Sequence, residues 1–132
     1  MSRLLLDTCA VLWIANGEAI DAEARKAIAA GERHVSPITA WEIANLARKN
    51  RIALTMPVAA WLTQALGAMD AVLPELSVSV LVESCALPGA PPDDPADRIV
   101  IATARQHNLT LVTRDAAILR YAQAGHARTM RC

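Results

Sequence analysis

Leu109-Thr110-Leu111-Val112-Thr113-Arg114-Asp115 is the stretch from which the fold can be worked out. Its first five residues are apolar or β-branched, between Asn108 and Arg114. An apolar run without polar alternation suits a strand buried on both faces of a parallel sheet. The run stops at an acid, and Asp115 to Ala122 reads as a short helix. The N-terminus repeats the arrangement. Arg3 to Leu6 is a short buried strand ending at Asp7, and Thr8 to Ala15 is an apolar helix closed by Asn16-Gly17.

Working outward, Asp21 to Ala30 reads as a helix with Asp21 as N-cap and Gly31 as its stop. His34 to Ser36 is a brief strand. Ser36-Pro37 then supplies a cap and a proline at the first helical position, opening a helix to about Asn50. Pro57 begins another helix that ends near Gly67, Val72-Leu73 suggests a further strand, and Val78 to Ala86 a further helix. Gly89-Ala90-Pro91-Pro92-Asp93-Asp94 is a loop. Asp94-Pro95 repeats the cap-plus-proline start of a helix to about His107, and Ala127 to Met130 is an edge strand. Strands alternating with helices predict an α/β fold whose mostly parallel sheet is covered on both faces.

The 132 residues fit a single domain spanning 1–132, and the 54% hydrophobic content supplies a core that is aliphatic, since Phe is absent. Thirteen basic residues balance thirteen acidic ones, so net charge points to no partner class. Cys9, Cys85 and Cys132 form an odd set without C-x-x-C spacing, which suggests buried thiols in a reducing cytoplasm rather than disulfides or a zinc site. His34, His107 and His126 have no ligand spacing. No signal peptide and no membrane span is expected. Trp13, Trp41 and Trp61 fall on apolar helix faces and suggest core or subunit contacts.

The chemistry rests on four acids read as lying where a strand runs into a helix: Asp7, Glu42, Asp97 and Asp115. In a parallel α/β sheet such junctions share one edge, outside the carboxyl ends of the strands. Each acid has a local explanation. Asp115 is a helix cap as readily as a ligand, Asp97 favours a helix dipole, and Glu42 could be a solvated helix residue. Asp7 ends an apolar strand, where a buried acid needs a partner. Together they are harder to dismiss, because close carboxylates repel by about 4 kcal/mol per pair at an effective dielectric near 20. A divalent cation with oxygen ligands, Mg²⁺ or Mn²⁺, would relieve that repulsion. Asp94 reads first as a cap. Thr8, Ser36 and Thr113 offer hydroxyls at the same edge, for turn and cap bonding or for orienting a metal-bound water. Arg48, Lys49 and Arg51 form a basic cluster at the end of the helix bearing Glu42. They complement the helix terminus or contact phosphate, and Asn45 and Lys49 share the face of Glu42.

Four ordered blocks also resemble a known family. They are Leu4-Leu5-Leu6-Asp7-Thr8, Ser36-Pro37-Ile38-Thr39-Ala40-Trp41-Glu42-Ile43-Ala44, Asp94-Pro95-Ala96-Asp97-Arg98-Ile99-Val100-Ile101-Ala102-Thr103-Ala104 and Leu109 to Asp115. In size and order they look like the PIN domain of VapC-type toxins from bacterial toxin–antitoxin pairs, over about Leu4 to Tyr121. The resemblance implies a three-layer α/β/α sandwich and a Mg²⁺- or Mn²⁺-dependent ribonuclease acting on RNA. It implies a metal cluster at Asp7, Glu42, Asp97 and Asp115, a homodimer, and neutralisation by a small VapB-like antitoxin. Ala96 departs from the large apolar residue common in relatives, and the loop before it is unusually rich in Pro and Asp. Substrate-loop details therefore do not carry over.

Two other functions fit parts of the pattern. An aspartyl-phosphate enzyme with Asp7 as nucleophile would usually need a second acid two residues on, where Cys9 stands, and a lysine after a late strand. A non-cleaving PIN-like module that binds RNA or a partner would not need all four acids.

Overall fold

Among the described residues, 2–132, a computed structural model places four strands: β1 (Arg3–Leu6), β2 (Glu32–His34), β3 (Thr110–Thr113) and β4 (Thr129–Arg131). They pair in the order β2-β1-β3-β4, every pairing parallel. The helices are α1 (Thr8–Ala15), α2 (Ala22–Ala30), α3 (Ile38–Arg48), α4 (Val58–Ala68), α5 (Val78–Ser84), α6 (Pro95–His107) and α7 (Ala116–Gln123).

Side-chain alternation along the strands divides the core in two. Leu4 and Leu6 of β1 and Val112 of β3 face α1 to α4, burying Ala10, Val11, Ile28, Ile43 and Leu62. Leu5 and Leu111 face the other way, onto Val80, Val100, Ile101, Ile118 and Tyr121 of α5, α6 and α7. The result is the expected α/β/α sandwich. Parallel pairing brings all the strand exits to one edge. From β1 the chain moves to β2 on one side, and the second half extends from β3 to β4 on the other. The chain direction therefore diverges between β1 and β3, the place where open α/β sheets form a crevice.

Local chemistry explains most boundaries. Asp94 caps α6 through Asp97 N at 3.0 Å, with Pro95 in the first turn. Asn108 ends that helix in the left-handed region (φ 56°), which Asn tolerates, and turns the chain into β3. Helix α3 begins at Ile38 with Pro37 already helical, and Ser36 Oγ accepts from Ile38 N at 3.2 Å. Pro37 rather than Ser36 is therefore the N-cap residue, and the serine bonds the first helical amide from one position further back.

Several expectations need correction. Strand β2 ends at His34 rather than Ser36, and Val72 makes only an isolated bridge to His34 in place of a full strand. Asp21 makes no side-chain cap bond. Cys9 and Cys85 are exposed and only Cys132 is buried; all three are free thiols. Trp13 and Trp61 pack against the core, but Trp41 is 59% exposed. Trp41 fails because α3 turns Thr39 and Ile43 inward, which sends residue 41 outward.

The two-sided core sets a stability contrast. Leu111→Ala, in a fully buried strand position, is expected to lose about 2–5 kcal/mol. Val78→Ala, at a position 78% exposed, should change stability by less than about 0.5 kcal/mol. Urea unfolding of both variants measures the difference.

Candidate active site

Two of the four acids are helix caps at neighbouring strand ends. Asp7 follows β1 and caps α1, its Oδ1 accepting from Thr8 N at 2.8 Å. Asp115 follows β3 after one residue and caps α7, its Oδ1 accepting from Ala117 N and Ile118 N at 2.9 and 3.0 Å. One hydroxyl ties them together. Thr113 Oγ1 donates to Asp7 Oδ2 at 2.7 Å and accepts from Asp115 N at 3.0 Å.

Glu42 reaches this pair from the second turn of α3. Thr8 Oγ1 donates to Glu42 Oε1 at 2.6 Å, while Thr8 N holds Asp7. Thr8 has one hydroxyl proton, so Thr39 Oγ1 at 3.2 Å serves as the donor to Thr8. Asp97, half-buried in the first turn of α6, completes the group.

Strand-to-helix junctions describe this arrangement only in part. They hold for Asp7 and Asp115. Glu42 lies a full turn inside α3, and Asp97 follows a loop with no strand before it. These two acids enter because α3 and α6 pack with their N-terminal ends at the strand exits.

Electrostatics shows that the acids share one field. Burial pushes the Asp97 carboxyl up to about 7, and Asp94, Asp115, Asp7 and Glu42 push the same way, with no hydrogen bond to offset them. Burial also raises Asp7 above the usual carboxylate range, against the lowering bonds from Thr113 and Thr8, while Asp115 and Asp94 add to the rise. Glu42 is raised chiefly by burial, opposed by Thr8 and assisted by Asp7 and Asp94. The exposed Cys9 thiol beside them is pushed up to about 11 by burial of its sulfur and by Asp7, Glu42 and Asp115, so it is no nucleophile at neutral pH.

Among the described residues, no three His, Cys, Asp or Glu side chains converge closely enough to ligate one ion as they stand. The donor set still fits a hard cation. Mg²⁺ keeps much of its water and takes one or two carboxylates directly, so it needs no closed protein cage. Mutual repulsion, which adds to the larger effect of burial on these acids, is a field that a cation relieves.

The supporting hydroxyls divide differently from their expected turn and cap roles. Thr8 and Thr113 bond the acids directly, whereas Ser36 bonds only Ile38 N at the start of α3. Thr39 was not singled out from sequence. Its signal was its i+3 spacing to Glu42, which puts both on one helix face. The basic cluster remains apart, with Arg48 Nε and Nη2 bonded to Asn45 Oδ1 at 3.1 and 2.7 Å. His34 is structural, its Nδ1 3.2 Å from Leu4 O and its Nε2 3.0 Å from Glu32. A cavity of about 760 Å³ lies elsewhere, lined by Ile14, Ile20, Ile28, Trp61 and Met69 and by none of the four acids.

Residues 4–124 match the PIN domain family. The chain is 39% identical over 117 residues to Ribonuclease VapC22 of Mycobacterium tuberculosis, covering 87% of this chain and 88% of that protein. Solved structures with the same fold include VapBC2 from Rickettsia felis bound to a promoter DNA fragment, with TM-score 0.66, 13% identity and 97% of each chain covered. A toxin–antitoxin complex from Klebsiella pneumoniae aligns with TM-score 0.58 and 24% identity, covering 85% of this chain and 86% of that one.

The raised carboxyls give stability a definite pH dependence in a chelator. Folded Asp97 keeps its proton to about 7, while an unfolded Asp loses its proton near pH 4. The folded state therefore binds more protons across that window, and stability falls as pH rises through it. Asp7 and Glu42 act in the same direction. Melting temperature in chelator should decline from pH 5 to pH 8, and Asp97→Asn should flatten the decline. A melting temperature that rises over this range would contradict the shared field.

Proposed function

The chain belongs to the PIN domain family, and on that premise we propose that it is an endoribonuclease hydrolysing RNA phosphodiesters with Mg²⁺ or Mn²⁺ at Asp7, Glu42, Asp97 and Asp115. The observation that carries this reading is the linked cluster itself. Thr8 and Thr113 tie three of the acids into one network, and the fourth, raised chiefly by burial, is pushed the same way by the other three. The name of the 39%-identical ribonuclease supports the activity.

A divalent ion bound there would activate water for in-line attack and neutralise charge on the phosphate. The chain's own residues prepare that step. Thr113 fixes Asp7 against Asp115, so the two caps keep constant separation. Thr8 holds Glu42 inward. Backbone amides at the starts of α1 and α7 hold the carboxylates of Asp7 and Asp115 in place. Asp97 must give up its proton before it can serve as a ligand.

The biological role we infer is that of a toxin in the cytoplasm, held inactive by a small VapB-like antitoxin. The apolar cavity beside Trp61 supports this, since it gives a partner segment a surface to bury. A basic antitoxin side chain, most suitably Arg, would pair with the acids and block phosphate. We also infer a homodimer. Val78, Leu81 and Val82 repeat at i, i+3 and i+4 on α5 and are 78%, 40% and 64% exposed, an unpartnered apolar face. No described helix is long and apolar enough to cross a membrane.

Asp7→Asn should abolish metal-dependent cleavage of RNA while leaving the melting temperature in chelator unchanged or higher, because it removes a ligand and relieves repulsion together. Full cleavage by this variant would sink the assignment. A second measurement follows the metal. Mn²⁺ at a hundredfold excess over Kd should stabilise the native protein by about 2.7 kcal/mol. The Asp97→Asn/Asp115→Asn variant should lose that response; equal shifts in both proteins would place the ion elsewhere.

A further inference from the structure

Arg114 lies between Thr113 and Asp115, beside the acids, yet it forms no ion pair with any of the four. Its guanidinium carbon sits 3.8 Å from the centroid of the Trp13 ring. Its Nε donates to Cys132 O at 2.9 Å. The guanidinium also neighbours the Cys132 thiol, where it opposes the rise that burial causes, and among the described residues neither terminal nitrogen bonds a carboxylate of the cluster. The residue is exposed, and its backbone is set by the end of β3.

An unrestrained arginine next to a cluster of carboxylates would swing toward them, because the pairing is favourable and the side chain is long. This one is held away by an aromatic platform and the main-chain oxygen of Cys132. A guanidinium fixed through Nε and its flat face presents the two Nη groups as a fork, the geometry that binds a phosphate through two hydrogen bonds. The surrounding charge explains why a cation is needed here. The acids repel a polyanion, and an anchored positive group beside them offsets that repulsion at the rim.

We propose that Arg114, preorganised on Trp13, is a substrate-binding residue that grips an RNA phosphate adjacent to the one being cleaved. The proposal rests on the ribonuclease reading above and adds where the strand runs: from the acids at the start of α1 toward Trp13 in its C-terminal half. Trp13 acts through Arg114 as a positioning residue. Its ring fixes the fork and lowers the entropy lost when phosphate binds.

Binding of a fluorescent single-stranded RNA of mixed sequence, titrated against KCl, tests this. The cleavage-dead Asp7→Asn chain is the parent, so that the RNA survives the measurement. Adding Arg114→Ala should weaken binding about tenfold or more. It should also reduce the slope of log K against log salt by about 0.7, the share of one phosphate contact on a single strand. Arg114→Lys should keep the slope, because charge is retained, but lose affinity with the fork. Trp13→Leu should likewise keep the slope while weakening binding. A merely structural Arg114 would lower the melting temperature and leave the slope unchanged, and that result overturns the proposal. If Arg114→Ala does not fold, Arg114→Lys decides, since full affinity in that variant also overturns it. Failure of the Asp7→Asn parent and the unmutated chain alike to bind or cut RNA would bring down the ribonuclease reading itself. An RNA-binding parent whose affinity and slope ignore Arg114 would bring down only this assignment.

Discussion

The parallel pairing of β1 with β3 sets where every charged group at the edge can stand. Register places Leu6 beside Val112, and Asp7 N continues the ladder by donating to Val112 O at 3.0 Å. Thr113 is therefore the residue that meets Asp7, and its hydroxyl spans to the Asp115 backbone. A slip of one residue would turn Thr113 to the other face and remove the bridge. The leucines that hold this register are fully buried, so the aliphatic core and the acid cluster depend on one alignment. Neither α3 nor α6 could deliver its acid to a useful place if β1 and β3 were not already adjacent.

The cluster costs stability, and the protein contains that cost by arranging bonds unevenly. Asp7 and Glu42 receive donors from Thr113 and Thr8, which favour their ionised forms. Asp97 receives none and keeps its proton to about 7. The acids interact, so the charge on each one affects how readily the others lose their protons. One neutral member reduces the repulsion among the remaining charges without any change of fold. Strained or repulsive local arrangements of this kind persist where function needs them and the surrounding core can support them.

The sequence made the sheet legible because its strands announce themselves. Leu4 to Leu6 and Leu109 to Thr113 are continuous apolar runs ended by acids, and the Asp94-Pro95 start of α6 has both cap and proline. Short elements at the periphery were less legible. Strand β2 is Glu-Arg-His, with no apolar pattern, and it exists because β1 offers it an edge. Val72-Leu73 carries the β-branched signal but finds only one bridging position there. For the candidate site, the four acids could be selected by type and place, yet the premise of four strand ends was only half right. Packing of α3 and α6, which no local motif encodes, brings in Glu42 and Asp97. Cys9 and Trp41 misled because helix-face assignment from a short apolar run leaves the angle of the buried stripe undefined.

The pairings within the hydroxyl network, though Thr8 and Thr113 were placed at the right edge, and the Arg114 platform were hidden for a related reason. Both are contacts between residues far apart in the chain: Thr113 with Asp7, Thr8 with Glu42, Arg114 with Trp13. Thr and Arg are common at strand ends on local grounds, so their presence alone carries little information. Position supplies the rest. The same strand end directs a threonine hydroxyl toward the acids and an arginine away from them, because successive side chains on a strand point to opposite faces. Opposite charges are thereby kept on adjacent residues without neutralising each other. On the proposed reading that separation would let one phosphate meet a cation at the acids and the next meet the guanidinium, whereas an arginine already paired with Asp7 or Asp115 could serve neither.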